Sequence, residues 1–256
     1  METLSPRPGE TVDVLFGGLI RVIQKKRGYR FSLDSLLLAH FLRLRKNDRA
    51  VEFGTGSAVI ALILGRRFAC EKIIGLEFQE ELADIARRNV LLNGMEDKIE
   101  IVRGDVRDAR MLFPPESGDV VFFNPPYRKS KSGRVNPDRE RALARHEIAG
   151  SVGDFVGAAA YVLKAKGSVY AIYPASRLVE LITRLRLGGL EPKRLRLVHS
   201  KKDSRAEFAL VEAIKGGREE LAVLPPLCVY DDDGEYTEEM EDVFNELSSV
   251  RPSSGG

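Results

Sequence analysis

Residues 49–67 read RAVEFGTGSAVIALILGRR, a short apolar run, a glycine turn and then a segment with helical periodicity. The glycines at positions 54 and 56 let the backbone turn tightly and come close to a ligand. A strand that passes through such a turn into a helix is one βα unit, the repeating piece of a parallel sheet. The stretch therefore predicts an α/β fold. It does not by itself identify a ligand, because every βα unit needs a turn of this kind.

The following residues continue the alternation of strands and helices. We predict further strands at residues 72–77, 98–105, 118–124, 167–174, 193–200 and 206–214. We predict helices at residues 79–94, 152–164 and 176–189. The first of these is expected to end at Asn93-Gly94 and to carry one apolar face, formed by Leu82, Ile85, Ala86, Val90 and Leu91. Alternation of this kind is typical of a parallel sheet covered on both faces, and the short connector before the last strand favours an antiparallel final pair. The expected fold is a Rossmann-like α/β domain with a seven-stranded, mostly parallel sheet and an antiparallel final strand.

The two ends of the chain differ from this alternating region. Residues 14–31 contain two apolar pieces around Lys-Lys-Arg-Gly, which predicts a hairpin that turns there, and Ser32 is the expected N-cap of an apolar helix. We therefore expect an N-terminal hairpin and helix at 1–45, a central domain at 46–216, and an irregular C-terminal extension with a flexible tail at 217–256.

The composition narrows the classes of function. The chain has 256 residues, 43% of them hydrophobic, and a net charge of +2, so binding of nucleic acid would need local basic patches. Cys70 and Cys228 lie far apart, which makes a disulfide framework or a zinc site unexpected. The sequence shows neither a signal peptide nor an apolar segment long enough for a membrane span. We expect a cytoplasmic protein without a metal, and we assume a monomer.

Two acidic residues follow the glycine turn at the ends of the next two predicted strands. Ligands of doubly wound sheets bind outside the carboxyl ends of the strands, which places Glu77 for ribose hydroxyls and Asp105 for an adenine amine. The NAD fingerprint G-x-G-x-x-G would need glycine at Val59, and the phosphate loop G-x-x-x-x-G-K-[ST] is absent from the sequence. The pattern indicates an adenosine-type ligand.

The fourth predicted strand of the central domain ends in Asn124, Pro125, Pro126 and Tyr127. Two successive prolines stop both a strand and a helix. Asn-Pro-Pro-Tyr downstream of E-x-G-x-G resembles the class I S-adenosylmethionine-dependent methyltransferases that modify planar amino groups. The resemblance implies that the Asn124 side chain and the Pro125 carbonyl accept the two hydrogens of the amine, and that the Tyr127 ring stacks on an unstacked base. These four residues are the predicted catalytic residues, and no metal is required.

The resemblance covers nearly the whole chain. FSLDSLLLAHF, GLEFQEELADIARRNVLLN, FFNPPY, ARHE and PPLCVYDDDGEYTEE are similar to segments of the bacterial tRNA1(Val) (adenine(37)-N6)-methyltransferase family. This resemblance implies a set of residues that hold S-adenosylmethionine or the amine: Glu52, Gly54, Gly56, Glu77, Asp105 and Asn124. The chain departs from the pattern at Ala58, where that family often has glycine.

A basic segment follows the Asn-Pro-Pro-Tyr motif. Residues 128–147 contain seven lysines and arginines against three acids, a net charge of about +4. Such residues contact phosphates and position RNA without reading its sequence. The expected RNA contacts are Arg128, Lys129, Lys131, Arg134 and Arg145. A solvated connector remains the alternative interpretation.

Three functions remain open at this point. The first is transfer of a methyl group from S-adenosylmethionine to the N6 amine of an adenine in tRNA, with adenine 37 of a valine tRNA implied by the resemblance. The second is methylation of another planar amine, namely a protein glutamine, guanine N2 of ribosomal RNA or a DNA adenine. The third is a module that binds adenosine or RNA without chemistry.

Overall fold

The computed structural model describes residues 5–28, 30–125 and 150–249. These residues form a large sheet with helices on both faces and a separate two-stranded hairpin. The strands are β1 (Glu10–Leu15), β2 (Ile20–Lys25), β3 (Arg49–Phe53), β4 (Lys72–Glu77), β5 (Ile99–Arg103), β6 (Gly118–Phe123), β7 (Leu163–Pro174), β8 (Leu190–His199), β9 (Ala206–Lys215), β10 (Ala222–Val223) and β11 (Leu227–Cys228). The helices are α1 (Leu33–Phe41), α2 (Val59–Arg67), α3 (Glu80–Leu92), α4 (Ala109–Leu112), α5 (Val152–Val162), α6 (Leu178–Leu187) and α7 (Glu238–Ser248).

The large sheet has the strand order β10-β8-β9-β7-β6-β3-β4-β5, and β11 also pairs with β8. Strands β3 to β7 run parallel, whereas β9 lies antiparallel between β7 and β8. The predicted Rossmann-like sheet with an antiparallel final strand is therefore confirmed. The two-residue strands β10 and β11 were not predicted, because strands of this length carry no readable alternation of apolar and polar residues.

The sheet is buried on both faces. Along β6, Val120 and Phe122 belong to the apolar cluster that includes α1, α2 and α7, whereas Val121 and Phe123 belong to the cluster that includes α5 and α6. Successive side chains of a strand point to opposite faces, so a strand covered on both faces is apolar at consecutive positions. This explains the run VVFF at the centre of the sheet.

The N-terminal hairpin turns at a different place from the predicted one. Leu15 of β1 pairs with Ile20 of β2, so the turn lies at residues 16–19. The segment Lys-Lys-Arg-Gly instead begins at Lys25, the last residue of β2. Gly17 and Gly18 have φ angles of +63° and +100°. Glycine adopts these values without a steric penalty, which explains why the turn forms there.

A buried asparagine attaches the hairpin to the large sheet's helical layer. The side chain of Asn89 in α3 accepts a hydrogen bond from the Ile23 backbone N–H at 2.6 Å and donates to the Ile23 carbonyl at 3.0 Å. The same amide nitrogen donates to the Ser57 carbonyl in the glycine turn at 2.9 Å. One side chain therefore satisfies buried backbone groups of both the hairpin and the turn.

Helix α3 ends as predicted at Asn93 and Gly94, but one of its expected core residues is exposed. Leu82 is buried, whereas Leu91 is 48% exposed. Nine residues separate them, which at 3.6 residues per turn places Leu91 about 180° around the helix from Leu82. The prediction that Leu91 shares the buried face was wrong for this reason.

The C-terminal extension contains a helix where the sequence analysis expected irregular structure. Thr237 caps α7, since its Oγ1 accepts a hydrogen bond from the Met240 N–H at 3.3 Å. Met240, Val243 and Leu247 are buried in the same cluster as α1. Their spacing of three and four residues is a helical signal that the acidic composition of the segment obscured. The predicted division at residues 45 and 216 stays a prediction.

A charged contact accompanies this apolar packing. Glu246 of α7 lies 3.6 Å from the Arg67 guanidinium, whose side chain is fully buried, and 3.3 Å from His40 Nε2. Burial lowers the pKa of His40 to about 4, so the imidazole is neutral at pH 7. The carboxylate of Glu246 therefore serves mainly as a counter-ion for Arg67. No helix within the described ranges has the length and apolar character of a membrane span.

We predict that Met240→Ala lowers the free energy of unfolding by about 2 to 5 kcal/mol, because it leaves a cavity between α7 and α1. Urea unfolding followed by circular dichroism measures the change. Glu238→Ala on the exposed side of the same helix is the control and is expected to stay within about 0.5 kcal/mol of the wild type. A loss as small as that control's would contradict the packing of α7.

Candidate active site

The strand order reverses between β3 and β6, and the candidate site lies outside the carboxyl ends of these two strands. Phe53, the last residue of β3, pairs with Phe123, the last residue of β6. The glycine turn after β3 and Asn124 after β6 consequently begin at neighbouring points of the same sheet edge. In open α/β sheets this switch point is where ligands bind.

The glycine turn has an unusual backbone. Gly54, Gly56 and Ala58 have φ angles of +73°, +58° and +64°. The two glycines adopt this region freely, whereas alanine there costs about 1 kcal/mol or more. Ala58 is fully buried and precedes α2. Alanine at position 58, where the related family often has glycine, therefore keeps the backbone shape of the turn but destabilises it.

Glu52 lies beneath the turn. Its carboxyl is buried and accepts a hydrogen bond from Thr55 Oγ1 at 2.6 Å. Thr55 in turn lies over Gly75, where an added Cβ would come within 2.9 Å of Thr55 Oγ1. Burial raises the pKa of Glu52 to about 8, so the group is largely neutral at pH 7. The family resemblance implies that Glu52 holds the cofactor or the amine, and within the described residues its carboxyl binds the Thr55 hydroxyl.

Glu77 connects the end of β4 to the same turn. Its Oε2 accepts a hydrogen bond from the Gly56 N–H at 2.9 Å, and its Oε1 accepts one from the Gln79 N–H at 2.9 Å. Burial raises the pKa of this carboxyl above its ordinary value. A carboxylate offers about four lone-pair sites, so two backbone bonds leave capacity for hydroxyl donors. The structure thus brings together the predicted residues Glu77 and Gly56.

Asp105 follows β5 at the same edge of the sheet. Its Oδ1 accepts hydrogen bonds at 2.9 Å from both the backbone N–H and the Nε of Arg107, and its Oδ2 accepts from the same Nε at 3.0 Å and from Nη2. The Arg107 guanidinium lowers the pKa of Asp105, so this carboxylate is ionised at neutral pH. The contact between Arg107 and Asp105 was not predicted from the sequence, although a basic residue two positions after a strand-ending acid can reach it.

Asn124 contacts a residue that sequence analysis missed. Its Nδ2 donates a hydrogen bond to Asp34 Oδ2 at 3.1 Å. Asp34 lies in the first turn of α1, ninety positions earlier, and is buried. Pro125 is also buried at the end of the described segment. The sequence offered one signal for this contact, namely an acid within the largely apolar stretch SLDSLLLAHF.

Other predicted residues lie outside the described residues. They are Pro126, Tyr127, Arg128, Lys129, Lys131, Arg134 and Arg145. Among the described residues, the basic stretch at 193–202 is engaged within the protein: Arg194 pairs with Glu212 at 2.8 Å, and Arg196 pairs with Glu239. The described ranges bring together no group of three or more His, Cys, Asp or Glu side chains that could hold a metal ion.

The fold and the site together define a Rossmann-like methyltransferase domain. Residues 29–174, more than half of the chain, match the family described as Methyltransferase small domain. The chain belongs to this family, which confirms the family resemblance and the fold class predicted from the sequence.

Curated relatives and a solved structure support this assignment. A tRNA1(Val) (adenine(37)-N6)-methyltransferase from Porphyromonas gingivalis is 32% identical over 136 residues, 52% of each chain. The protein of the same name from Photobacterium profundum is 26% identical over 213 residues, 82% of this chain and 87% of the relative. The alignment thus spans about half of the Porphyromonas protein. A crystal structure of a predicted O-methyltransferase from Agrobacterium tumefaciens superposes with a TM-score of 0.68 at 24% identity, covering 86% of this chain and 99% of that one, and shows the shared fold.

We predict that Glu52→Gln removes part of the pH dependence of stability. The native pKa of Glu52, about 8, is above the usual value of 4.5, so the native state binds more protons than the unfolded state between these values. The contribution of Glu52 to the free energy of unfolding is therefore fully present below pH 4.5. It falls by up to about 1.4 kcal/mol per pH unit as the pH rises towards 8.

Urea unfolding of the wild type and of Glu52→Gln at pH 5, 6, 7 and 8, without ligand, measures the difference between their free energies of unfolding over a range of roughly three pH units. The variant should gain stability relative to the wild type as the pH rises. A difference that does not change with pH would contradict the raised pKa. Glu238→Gln, an exposed substitution, is the matched control.

Proposed function

We propose that this protein transfers a methyl group from S-adenosylmethionine to the N6 amine of an adenine in tRNA. The observation that carries the proposal is the position of Asn124 at the switch point, beside the glycine turn, with its amide nitrogen bound to Asp34. The names of the Porphyromonas and Photobacterium relatives support tRNA as the substrate and adenine 37 of a valine tRNA as the target.

The described residues fit an adenosine-containing cofactor. Gly54 and Gly56 keep the turn free of side chains, and a Cβ at Gly54 would reach within 3.7 Å of the Phe155 ring. Glu77 would accept the ribose hydroxyls, since its two backbone bonds leave acceptor capacity. Asp105 would accept the adenine amine in exchange for part of its contact with Arg107, which engages both of its oxygens. When bound, S-adenosylmethionine supplies an electrophilic methyl group.

The protein's own residues would then orient the nucleophile. An exocyclic amine is weakly nucleophilic because its lone pair is delocalised into the ring. The Asn124 Oδ1 and the Pro125 carbonyl would each accept one amine hydrogen, which favours a nitrogen closer to sp³ with its lone pair directed away from these acceptors. As the nitrogen–methyl bond forms, the bond between that methyl group and the cofactor's sulfur would break to leave a neutral thioether, and the amine would release one proton to solvent. Alignment of the reacting atoms supplies most of the rate enhancement in such a site.

The proposed contacts with RNA rest on the sequence alone. Tyr127 would stack on the unstacked adenine, and the basic residues of 128–147 would contact the tRNA backbone. We place the protein in the cytoplasm as a monomer, because tRNA is modified there and the proposed chemistry requires no second chain.

The decisive assay measures tritium transfer from labelled S-adenosylmethionine to a tRNA pool that lacks the modification, followed by nucleoside analysis. Label in N6-methyladenosine supports the proposal. Label in N2-methylguanosine, in DNA or in protein glutamine would assign another planar amine. Binding of S-adenosylmethionine without transfer to any of these substrates would indicate a binding module.

We predict that Asn124→Ala lowers kcat in this assay at least about 100-fold, because it removes one acceptor of the amine hydrogens. Equilibrium dialysis should find nearly unchanged affinity for S-adenosylmethionine, since the cofactor's hydroxyls and adenine are assigned to Glu77 and Asp105. Asn245→Ala, at an exposed position of α7, is the control and should retain full activity. Undiminished turnover in Asn124→Ala would refute the assigned role.

A further inference from the structure

We propose that Asp34 is a positioning residue that fixes the side-chain amide of Asn124 with its oxygen towards the substrate amine. This inference rests on the proposed function and adds a specific part for the N-terminal helix. The observation behind this inference is the 3.1 Å hydrogen bond from Asn124 Nδ2 to Asp34 Oδ2, which connects α1 to the candidate amine site.

The Asp34 carboxyl is itself held in one orientation. Its Oδ1 accepts hydrogen bonds from the Ser35 N–H at 2.9 Å and from the hydroxyl of Ser32, the residue that precedes α1. Asp34 is only 7% exposed, so solvent provides little competition for these bonds. One oxygen is therefore attached to the start of the helix, and the other is presented to Asn124.

This arrangement selects one of the two orientations of the Asn124 amide. A carboxylate only accepts hydrogen bonds, so it binds the NH2 end of the amide and repels the oxygen end. A half-turn about the last side-chain bond of Asn124 would place its oxygen against the buried oxygen of Asp34, and two acceptors face to face are unfavourable. With Nδ2 held by Asp34, Oδ1 is the atom left to accept the hydrogen of the substrate amine.

The charge on Asp34 adds a second effect. Hydrogen bonds to an ionised acceptor are stronger than bonds between neutral groups, and hydrogen-bonded groups polarise one another in a medium of low dielectric constant. An amide that donates to a carboxylate carries more negative charge on its oxygen. Asn124 would therefore be a stronger acceptor for the amine hydrogen than an isolated asparagine.

Attachment of α1 to the sheet does not require Asp34. Leu36, Leu37, Leu38 and Phe41 of α1 are buried in the main apolar cluster, and α7 covers the same helix. A variant of Asp34 that conserves its volume should consequently keep the helix in place. Loss of activity in such a variant would then reflect the orientation of Asn124.

The first test is the substitution Asp34→Asn. The introduced amide would keep its oxygen on the Ser35 N–H and turn its NH2 group towards Asn124, which forces Asn124 to present its own NH2 group to the substrate. We expect kcat for tRNA methylation to fall about 100-fold, while KM for S-adenosylmethionine changes less than about twofold. Asp203→Asn, in the exposed turn between β8 and β9, is the matched control and should behave like the wild type.

The second test exchanges the two side chains in Asp34→Asn/Asn124→Asp. The NH2 group introduced on α1 then donates to the carboxylate introduced after β6, whose second oxygen again faces the amine as an acceptor. We expect kcat at least about tenfold above that of Asp34→Asn alone. A residue that only braced the helix would give no such recovery. Normal kcat in Asp34→Asn, or no recovery in the exchanged protein, would overturn the proposal.

A third measurement uses the wild-type protein and needs no enzymatic activity. With ¹⁵N-labelled asparagine, NMR follows the side-chain NH2 resonance of Asn124, assigned by its absence in Asn124→Ala. Its hydrogens should exchange with solvent far more slowly than those of exposed Asn245, and Asp34→Asn should shift the resonance. Exchange as fast as that of Asn245 would overturn the proposal even if tRNA is methylated. Failure of the wild type to methylate tRNA would instead refute the proposed function and leave the NMR result to decide the role of Asp34.

Discussion

The hydrogen-bonded register between β3 and β6 fixes the glycine turn and Asn124 relative to each other. Phe53 and Phe123 are paired at the ends of these strands, and the Phe155 ring of α5 lies 6.4 Å and 5.4 Å from their ring centroids. A shift of one residue would turn these buried rings to the opposite face of the sheet. It would also displace Asn124 relative to the glycine turn. The packing of these three rings therefore fixes the relative positions of the glycine turn and Asn124, which follow the two strands.

Two buried carboxyl groups support the turn from below. Glu52 and Glu77 both have pKa values raised by burial, and both use their oxygens to hold the turn, through Thr55 and through the Gly56 N–H. Burial disfavours the ionised form of an acid, and raised pKa values of this kind concentrate at functional sites. The turn is thus held in place by two hydrogen-bonded carboxyl groups whose charged forms are disfavoured by burial.

The sequence was most informative where a pattern repeats along the chain. The strands, the helices and the positions of Gly54, Gly56, Glu77 and Asp105 followed from periodicity and from the geometry of parallel sheets. The hairpin turn was misplaced because a charged Lys-Lys-Arg-Gly segment and a Gly-Gly pair competed for it. The contact of Asp34 with Asn124 could not be predicted, since it joins residues ninety positions apart and depends on how α1 lies on the sheet.

The position of α1 has a consequence for the division of the chain. The expected boundary at residue 45 assigns α1 to an N-terminal extension, yet this helix packs in the main cluster and supplies Asp34 to the site. The family match begins at residue 29 and includes the helix. On its other side α1 is covered by α7, whose Glu246 lies near His40 of α1 and Arg67 of α2. The two helices that flank the strand–helix repeat therefore pack against each other and share one apolar cluster with the sheet, and α1 places Asp34 within hydrogen-bond distance of Asn124.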